Sequence, residues 1–181
     1  MKRSEINQLI TEASSFWEAH GWTLPPNPRW DVTDFGLGDW RKHGLILVNL
    51  ADEPEYCEKL MYLKPGMVTP MHYHGKKKED IVCRWGQLTV LIGGSGLVEL
   101  KRNGMSEKVT PPQELRLSAG ERVTLFTGTW HAFWSDGECI VGEVSTANDD
   151  LSDNYFENPA VGRFSEIEED EPAIVRLVSD P

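Results

Sequence analysis

The chain has 181 residues, 39% of them hydrophobic, and a formal net charge of −11. That is enough for one well-cored domain with some decoration and too little to divide comfortably into two. The negative balance repels phosphate backbones and anionic lipid, so nucleic-acid or membrane binding would need a local basic patch, and Lys76-Lys77-Lys78 is too short to be one. No stretch approaches the roughly 20 apolar residues of a spanning helix, and no cationic start is followed by an apolar segment of signal-peptide type. The expectation is a soluble cytoplasmic protein with no nucleic-acid or membrane partner. Cys57, Cys83 and Cys139 are odd in number and contain no CxxC pair, which points to reduced, buried thiols and not to a disulfide framework or a thiolate zinc site.

In chain order, the first element is an amphipathic helix. Ser4 is its expected N-cap, Ile6, Leu9, Ile10, Ala13, Phe16 and Trp17 recur at helical spacing, and Gly21 stops it. Between residues 22 and 44 the prolines Pro25, Pro26 and Pro28, with glycines and Asx residues, predict an ordered loop anchored by Trp22, Trp30 and Phe35. Short β-favouring runs then alternate with turn signals: Leu45–Leu50, Leu60–Leu63, Val68–His74, Ile81–Trp85, Leu88–Ile92, Leu97–Leu100, Leu115–Leu117, Val123–Phe126, Trp130–Trp134 and Ile140–Val144. Gly93–Gly96, Asn103-Gly104, Ala119-Gly120 and Asp136-Gly137 supply the turns. A mainly β chain of this kind predicts an antiparallel sandwich or small barrel behind an N-terminal α-helix. The expected organisation over 1–181 is one domain: helix 1–21, loop 22–44, barrel core 45–145 and a C-terminal extension 146–181. The acidic run Glu166–Glu171 reads as a solvated turn, and Ile174–Val178 as a possible edge strand.

Histidine is scarce, with five in the chain, yet His72 and His74 stand two apart in a strand-like segment, which sends both imidazoles to one face. A divalent ion needs neutral nitrogen or anionic oxygen donors converging on a point, and such a pair supplies two adjacent corners of its polyhedron. Glu79 follows after a short loop that can return a carboxylate to the same place. His131, much later, can be carried opposite the pair if the sheet closes on itself. Three histidines and a glutamate leave positions open on a six-coordinate ion. His20 and His43 lack partners of this kind.

These residues resemble the cupin superfamily. Gly66-x5-His72-x-His74-x4-Glu79-x6-Gly86 matches its first signature at every defined position. In the second, Gly120 and Gly128-x2-His131 fall at the right spacing, while Phe126 stands in place of proline and Ser135 in place of asparagine. The resemblance implies a cupin-type antiparallel β-barrel, a jelly roll, with one divalent metal held by His72, His74, Glu79 and His131. That fold hosts dioxygenases, isomerases, epimerases, decarboxylases and plain binders, so the reaction must come from elsewhere.

Three further segments narrow it. Glu58-Lys59-Leu60-Met61, then Thr69-Pro70 with Lys76-Lys77-Lys78-Glu79-Asp80-Ile81, then Glu143-Val144-Ser145 with Asn148-Asp149-Asp150 and Asp153-Asn154, resemble the D-lyxose ketol-isomerase family of cupins over about Cys57–Phe156. The resemblance implies a manganese-dependent enzyme that interconverts lyxose with xylulose and mannose with fructose, acts on a small-molecule sugar, and forms a homodimer.

Aldose–ketose isomerisation moves a proton between adjacent carbons and needs a base, together with stabilisation of negative charge on the neighbouring oxygens. A metal with two open positions can bind the C1 and C2 oxygens, polarise the carbonyl and hold the developing enediolate. Glu143 is the first candidate for the proton carrier, because it alternates with Val141 and Cys139 on the face expected to point inward. Lys59 is the second, as an oxyanion stabiliser or proton relay, unless it is an edge-strand lysine facing water. Asp149, Asp150, Asp153 and Asn154 could bind sugar hydroxyls or cap turns. Trp130 and Phe133, with Trp134, could wall the sugar C–H faces or pack the barrel. Two alternatives stay open: an iron-dependent dioxygenase on the same ligand set, and a non-catalytic sugar-binding cupin. A hydride shift is a variant of the isomerase.

Overall fold

The computed structural model of the chain describes residues 1–162 and 164–180. One helix, α1 (Arg3–Ala19), precedes thirteen strands: β1 (Arg29–Thr33), β2 (Leu45–Asp52), β3 (Tyr56–Leu63), β4 (His72–Tyr73), β5 (Glu79–Trp85), β6 (Gln87–Ile92), β7 (Val98–Arg102), β8 (Met105–Val109), β9 (Gln113–Ser118), β10 (Arg122–Leu125), β11 (His131–Trp134), β12 (Cys139–Thr146) and β13 (Tyr155–Phe156). They form two antiparallel sheets, eight strands in the order β1-β2-β3-β12-β5-β10-β7-β8 and five in the order β13-β4-β11-β6-β9. The mainly β jelly roll with an N-terminal helix is therefore present. It takes the form of two facing sheets, and its ladders do not join into one hydrogen-bonded cylinder.

Where α1 covers it, over β1, β2, β3 and the start of β12, the larger sheet is buried on both faces. Ile46, Val48, Leu60, Tyr62 and Ile140 turn outward onto the helix residues Ile6, Leu9, Ile10, Ala13 and Trp17, with Trp30 and Val32 beside them. Their neighbours Leu47, Met61, Leu63, Cys139 and Val141 turn inward, onto Val90, Ile92 and Phe133 of the smaller sheet. Each fully buried large side chain contributes about 1.5–3 kcal/mol, so both layers are substantial. The strand alternation that sends Leu60 to the helix sends Lys59 to the interior. The alternation that sends Ile140 outward does the same for Glu143.

Several sequence expectations are corrected. The N-cap of α1 is Lys2, whose backbone N–H donates to the Glu5 carboxylate; Ser4 lies inside the first turn, bonded instead to Asp170. The 22–44 loop contains β1, which pairs with β2 through all five of its residues. It escaped notice because four of its five residues are buried, leaving no polar–apolar alternation. The expected strand Val68–His74 is regular only at His72–Tyr73, and β8 and β13 were not anticipated. Regular pairing therefore begins before the expected barrel core and runs past its end, to Phe156. Ile174–Val178 adds no strand, only a parallel bridge from Leu177 to Trp30 on the β1 edge. The acidic run is solvated as expected, with Glu166, Glu168, Glu169, Asp170 and Glu171 exposed, and it is also tied to α1, where Glu169 bonds Arg3, Asp170 bonds Ser4 and Glu171 bonds Asn7. All three cysteines are free and buried. Among the described residues no helix is long and apolar enough to cross a membrane.

Candidate metal centre and active site

The site lies between the sheets, and each sheet contributes a directly opposed cross-strand pair. In the smaller sheet β4 and β11 set His72 against His131. In the larger, β3 and β12 set Lys59 against Glu143. Glu79 opens β5, and His74 follows β4 at the turn. Gly86, the glycine that ends the first cupin signature, lets the chain reverse after β5: its φ is +85° and a Cβ there would stand 2.7 Å from the Glu138 carbonyl oxygen.

One ring nitrogen from each of His72, His74 and His131 lies within 4.8 Å of the other two. The Nδ1 atoms face backbone carbonyls: His72 that of Pro70 at 2.8 Å, His74 that of Asp153 at 2.8 Å, His131 that of Thr129 at 2.9 Å. A carbonyl oxygen only accepts, so each Nδ1 carries a proton and donates it. Burial, reinforced by His131 and His74, holds His72 well below the ordinary histidine range, and burial likewise lowers His74. Both rings are therefore neutral, with a lone pair on Nε2. Such carbonyl anchors are the usual way a protein orients imidazole ligands.

Glu79 is 2% exposed. Burial pushes its carboxyl up, but the Lys77 ammonium beside it outweighs this and keeps it ionised. Its Oε1 is 2.9 Å from His131 Nε2, and its Oε2 is 3.6 Å from His74 Nε2 and 2.9 Å from Lys77 Nζ. Despite that short approach, Oε1 and His131 Nε2 are both buried without an aligned hydrogen-bond partner. With the His131 proton on Nδ1, two acceptors face each other. That is a costly arrangement in a dry interior and a favourable one around a cation. Three imidazole nitrogens and one carboxylate oxygen are a donor set suited to a first-row divalent ion. The residues present fit such an ion.

Beside this group lies a second buried charge network. Lys77 Nζ donates to Glu143 Oε1 at 2.8 Å and also pairs with Glu79, joining the two carboxylates through one ammonium. Lys59 Nζ donates to Asn148 at 3.0 Å and stands 3.7 Å from both Glu143 and Asp150. Burial raises the Glu143 carboxyl, while Lys59 and Lys77 more than offset this and leave it below its ordinary value, hence ionised. Lys77 is held protonated, well above its ordinary value, because the two carboxylates outweigh its own burial.

The sequence reading gave Lys77 no role of its own, weighing Lys76-Lys77-Lys78 only as a short basic patch and as part of the family resemblance. Its neighbours Lys76 and Lys78 are exposed and it is 4% exposed. The available signal was the Lys77-x-Glu79 spacing, which on extended chain puts both side chains on one face. Lys59 lies inside the sheet between β2 and β12, so the water-facing alternative does not hold.

The remaining candidates separate. Phe133, Asp150 and Asn154 line the cavity between the sheets together with the histidine triad, Glu79, Lys59, Lys77 and Glu143. Phe35 and Phe156 line it too and were not anticipated there. Trp130 does not. It precedes His131 on extended chain, so alternation sends it to the other face, where it packs against Tyr73 at 4.6 Å. Asp149 caps a turn, accepting from the Ser152 backbone and hydroxyl. Asp153 is buried under the turn that follows His74, where its carboxylate accepts backbone N–H bonds from Gly75, Lys76 and Lys77. It orients the ligand loop and has no free face for a sugar.

A jelly roll whose interior carries a histidine triad beside buried acid–base groups is a cupin-type site, and the comparisons supply the reaction. The family model described as D-lyxose isomerase matches residues 27–181. The chain is 34% identical to the D-lyxose/D-mannose isomerase of Escherichia coli O157:H7, covering 99% of this chain and 98% of that one. It is 35% identical to the D-lyxose/D-mannose isomerase of Thermosediminibacter oceani (93% and 99% covered) and 30% to the D-lyxose ketol-isomerase of Cohnella laeviribosi (94% and 100%). In fold it is similar to the L-ribose isomerases of Cellulomonas parahominis with L-psicose (TM-score 0.73, 19% identity) and Acinetobacter sp. DL28 with L-ribose (TM-score 0.71, 20% identity), each covering 93% of this chain and 98% of that one. The chain belongs to the D-lyxose isomerase family and is a sugar isomerase of the aldose–ketose type.

Proposed function

We propose that the chain interconverts D-lyxose with D-xylulose and D-mannose with D-fructose, by proton transfer between C1 and C2 of an open-chain sugar. The observation that carries this reading is the buried, ionised Glu143 carboxylate, which faces the histidine triad across the cavity without belonging to it. His72, His74, Glu79 and His131 hold one divalent ion, Mn2+. Such an ion supplies Lewis acidity, polarising a sugar carbonyl and stabilising negative charge on adjacent oxygens.

The chain's own groups do the rest. Glu143 takes the proton from C2 of the aldose and returns it to C1, while the proton of the C2 hydroxyl passes to the C1 oxygen, and the carbon-to-carbon transfer benefits from a base already ionised and screened from water. Lys77 holds one oxygen of that carboxylate and so fixes its orientation. Lys59, opposite Glu143, donates to a substrate oxygen as charge develops there. Phe133 and Phe156 pack the C–H faces of the sugar, and Asp150 and Asn154 bind hydroxyls near the mouth. The enzyme is a cytoplasmic homodimer built from one domain per chain.

Purified protein supplied with Mn2+ and assayed on D-lyxose and D-mannose in deuterated water tests the reading. Turnover with solvent deuterium in the product is expected. Turnover without label would replace the proton transfer by a hydride shift, and oxygen uptake without isomerisation would overturn the proposal.

A further inference from the structure

The connection between β1 and β2 carries an unusual residue. Three non-glycine residues among those described have positive φ; two are asparagines, which tolerate it, and the third is Phe35 at +57°. A bulky side chain in this region persists only where its surroundings over-determine it, and such positions cluster at ligand clamps. Phe35 meets that condition. Its N–H donates to Thr33 Oγ1 at 2.8 Å, and its carbonyl accepts from Gly162 N at 2.8 Å. The adjoining Asp34 carboxylate accepts from Gly36 N at 3.0 Å, Gly38 N at 3.1 Å and the Ser165 hydroxyl. The C-terminal extension thus clasps this loop at two points, Gly162 and Ser165.

The clasp turns the Phe35 side chain into the cavity, where it is 5% exposed. Its ring meets Phe156 edge-on at 6.1 Å, and Phe156 in turn lies 5.8 Å from the ring of His72. A sugar chain held at the histidine triad therefore runs out against two phenyl rings. A phenyl wall cannot bond a hydroxyl, so a chain one carbon longer must bury a hydroxymethyl group without a partner, or bend away.

We infer that Phe35 is a specificity-determining residue that limits the length of the sugar chain the cavity accepts, and that the Asp34–Ser165 clasp is what positions it. The inference rests on the isomerase reading above.

The test is the hexose-to-pentose ratio of kcat/KM, D-mannose over D-lyxose, in the Mn2+-loaded full-length protein. Because both sugars are assayed on one preparation, loss of folded protein cancels from the ratio. Phe35→Ala is expected to raise it about tenfold or more, chiefly through the KM for mannose, and Phe35→Trp to lower it. Ser165→Ala, which loosens the clasp and leaves the ring intact, should move it in the Ala direction by a smaller factor. A ratio within about twofold of wild type in both Phe35 variants overturns the inference and leaves the isomerase reading standing. Wild-type protein that isomerises neither sugar overturns both.

Discussion

The two sheets that face each other across the cavity use one device for different ends. Each places a directly opposed cross-strand pair into the interior, His72/His131 from the small sheet and Lys59/Glu143 from the large one. The small sheet contributes imidazole nitrogens anchored by backbone carbonyls. The large sheet contributes charges, and Glu79 and Lys77 at its rim tie the two sets together. On the function proposed above, the comparison amounts to a division of labour: the small wall supplies the three imidazoles for the ion, and the large wall supplies the carboxylate of Glu79 together with the groups that move a proton and balance the charge.

If that division is right, perturbing the two walls gives different signatures. Glu143→Gln should cost about a thousandfold in kcat, within the range for a general base, while Mn2+ affinity measured by paramagnetic resonance changes little. A loss of metal of the same order would mean that the walls are not separable. His131→Ala should do the reverse, lowering Mn2+ affinity by more than the ~10–100-fold typical of losing a ligand's supporting bond. Undiminished metal binding would place the ion elsewhere.

Lys77→Met tests the tie between the walls. It leaves Glu79 and Glu143 facing each other in a dry interior, so a loss of about 3–5 kcal/mol is expected in chemical unfolding. Without its second largest stabilising charge, Glu143 titrates at higher pH, which should move the acid limb of the activity profile upward. A variant as stable as wild type would show that the ammonium is dispensable.

Acid should weaken the metal-free protein in two stages. His72 and His74 are lowered from 6.5, so below that pH the unfolded chain binds more protons than the folded one and stability falls as pH falls. Glu79 and Glu143 are lowered from 4.5, so their contribution is complete above that value and is lost as pH falls through their folded pKa values. An unfolding midpoint that is flat between about pH 7.5 and about pH 5.5 would contradict the first stage. The smallest effect should come from outside the cavity. Asn7→Ala removes bonds to Glu171 and the Pro172 carbonyl, costing about 1–2 kcal/mol of stability with kcat unchanged.

The histidine-bearing wall was the more legible in sequence. Scarce histidines at strand spacing announce themselves, and Glu143 could be placed by its alternation with Val141 and Cys139. Lys77 could not be, because two exposed lysines flank it and composition reads the three as one solvated run. Asp153 was left between sugar ligand and turn cap because an acid in a polar loop looks the same whether it meets solvent or the backbone of a turn 76 to 78 residues earlier. β1 was hidden for a different reason. Helix α1 covers one side of it and the protein interior the other, so Trp30, Asp31, Val32 and Thr33 are all buried and no periodicity survives. The reach of the C-terminal extension to Asp34 and Phe35 depends on tertiary proximity alone.

The opposed pairing of Lys59 with Glu143 also bears on how the gene can vary. Strand faces alternate with every residue, so one codon inserted within β3 or β12 turns a charge from the cavity to the helix-covered face, and no nearby substitution restores it. Length can be gained or lost between strands, as at the Gly93–Gly96 turn, without touching the chemistry. Mutational drift in this protein is therefore free in length at its loops and held to whole-residue register along two strands.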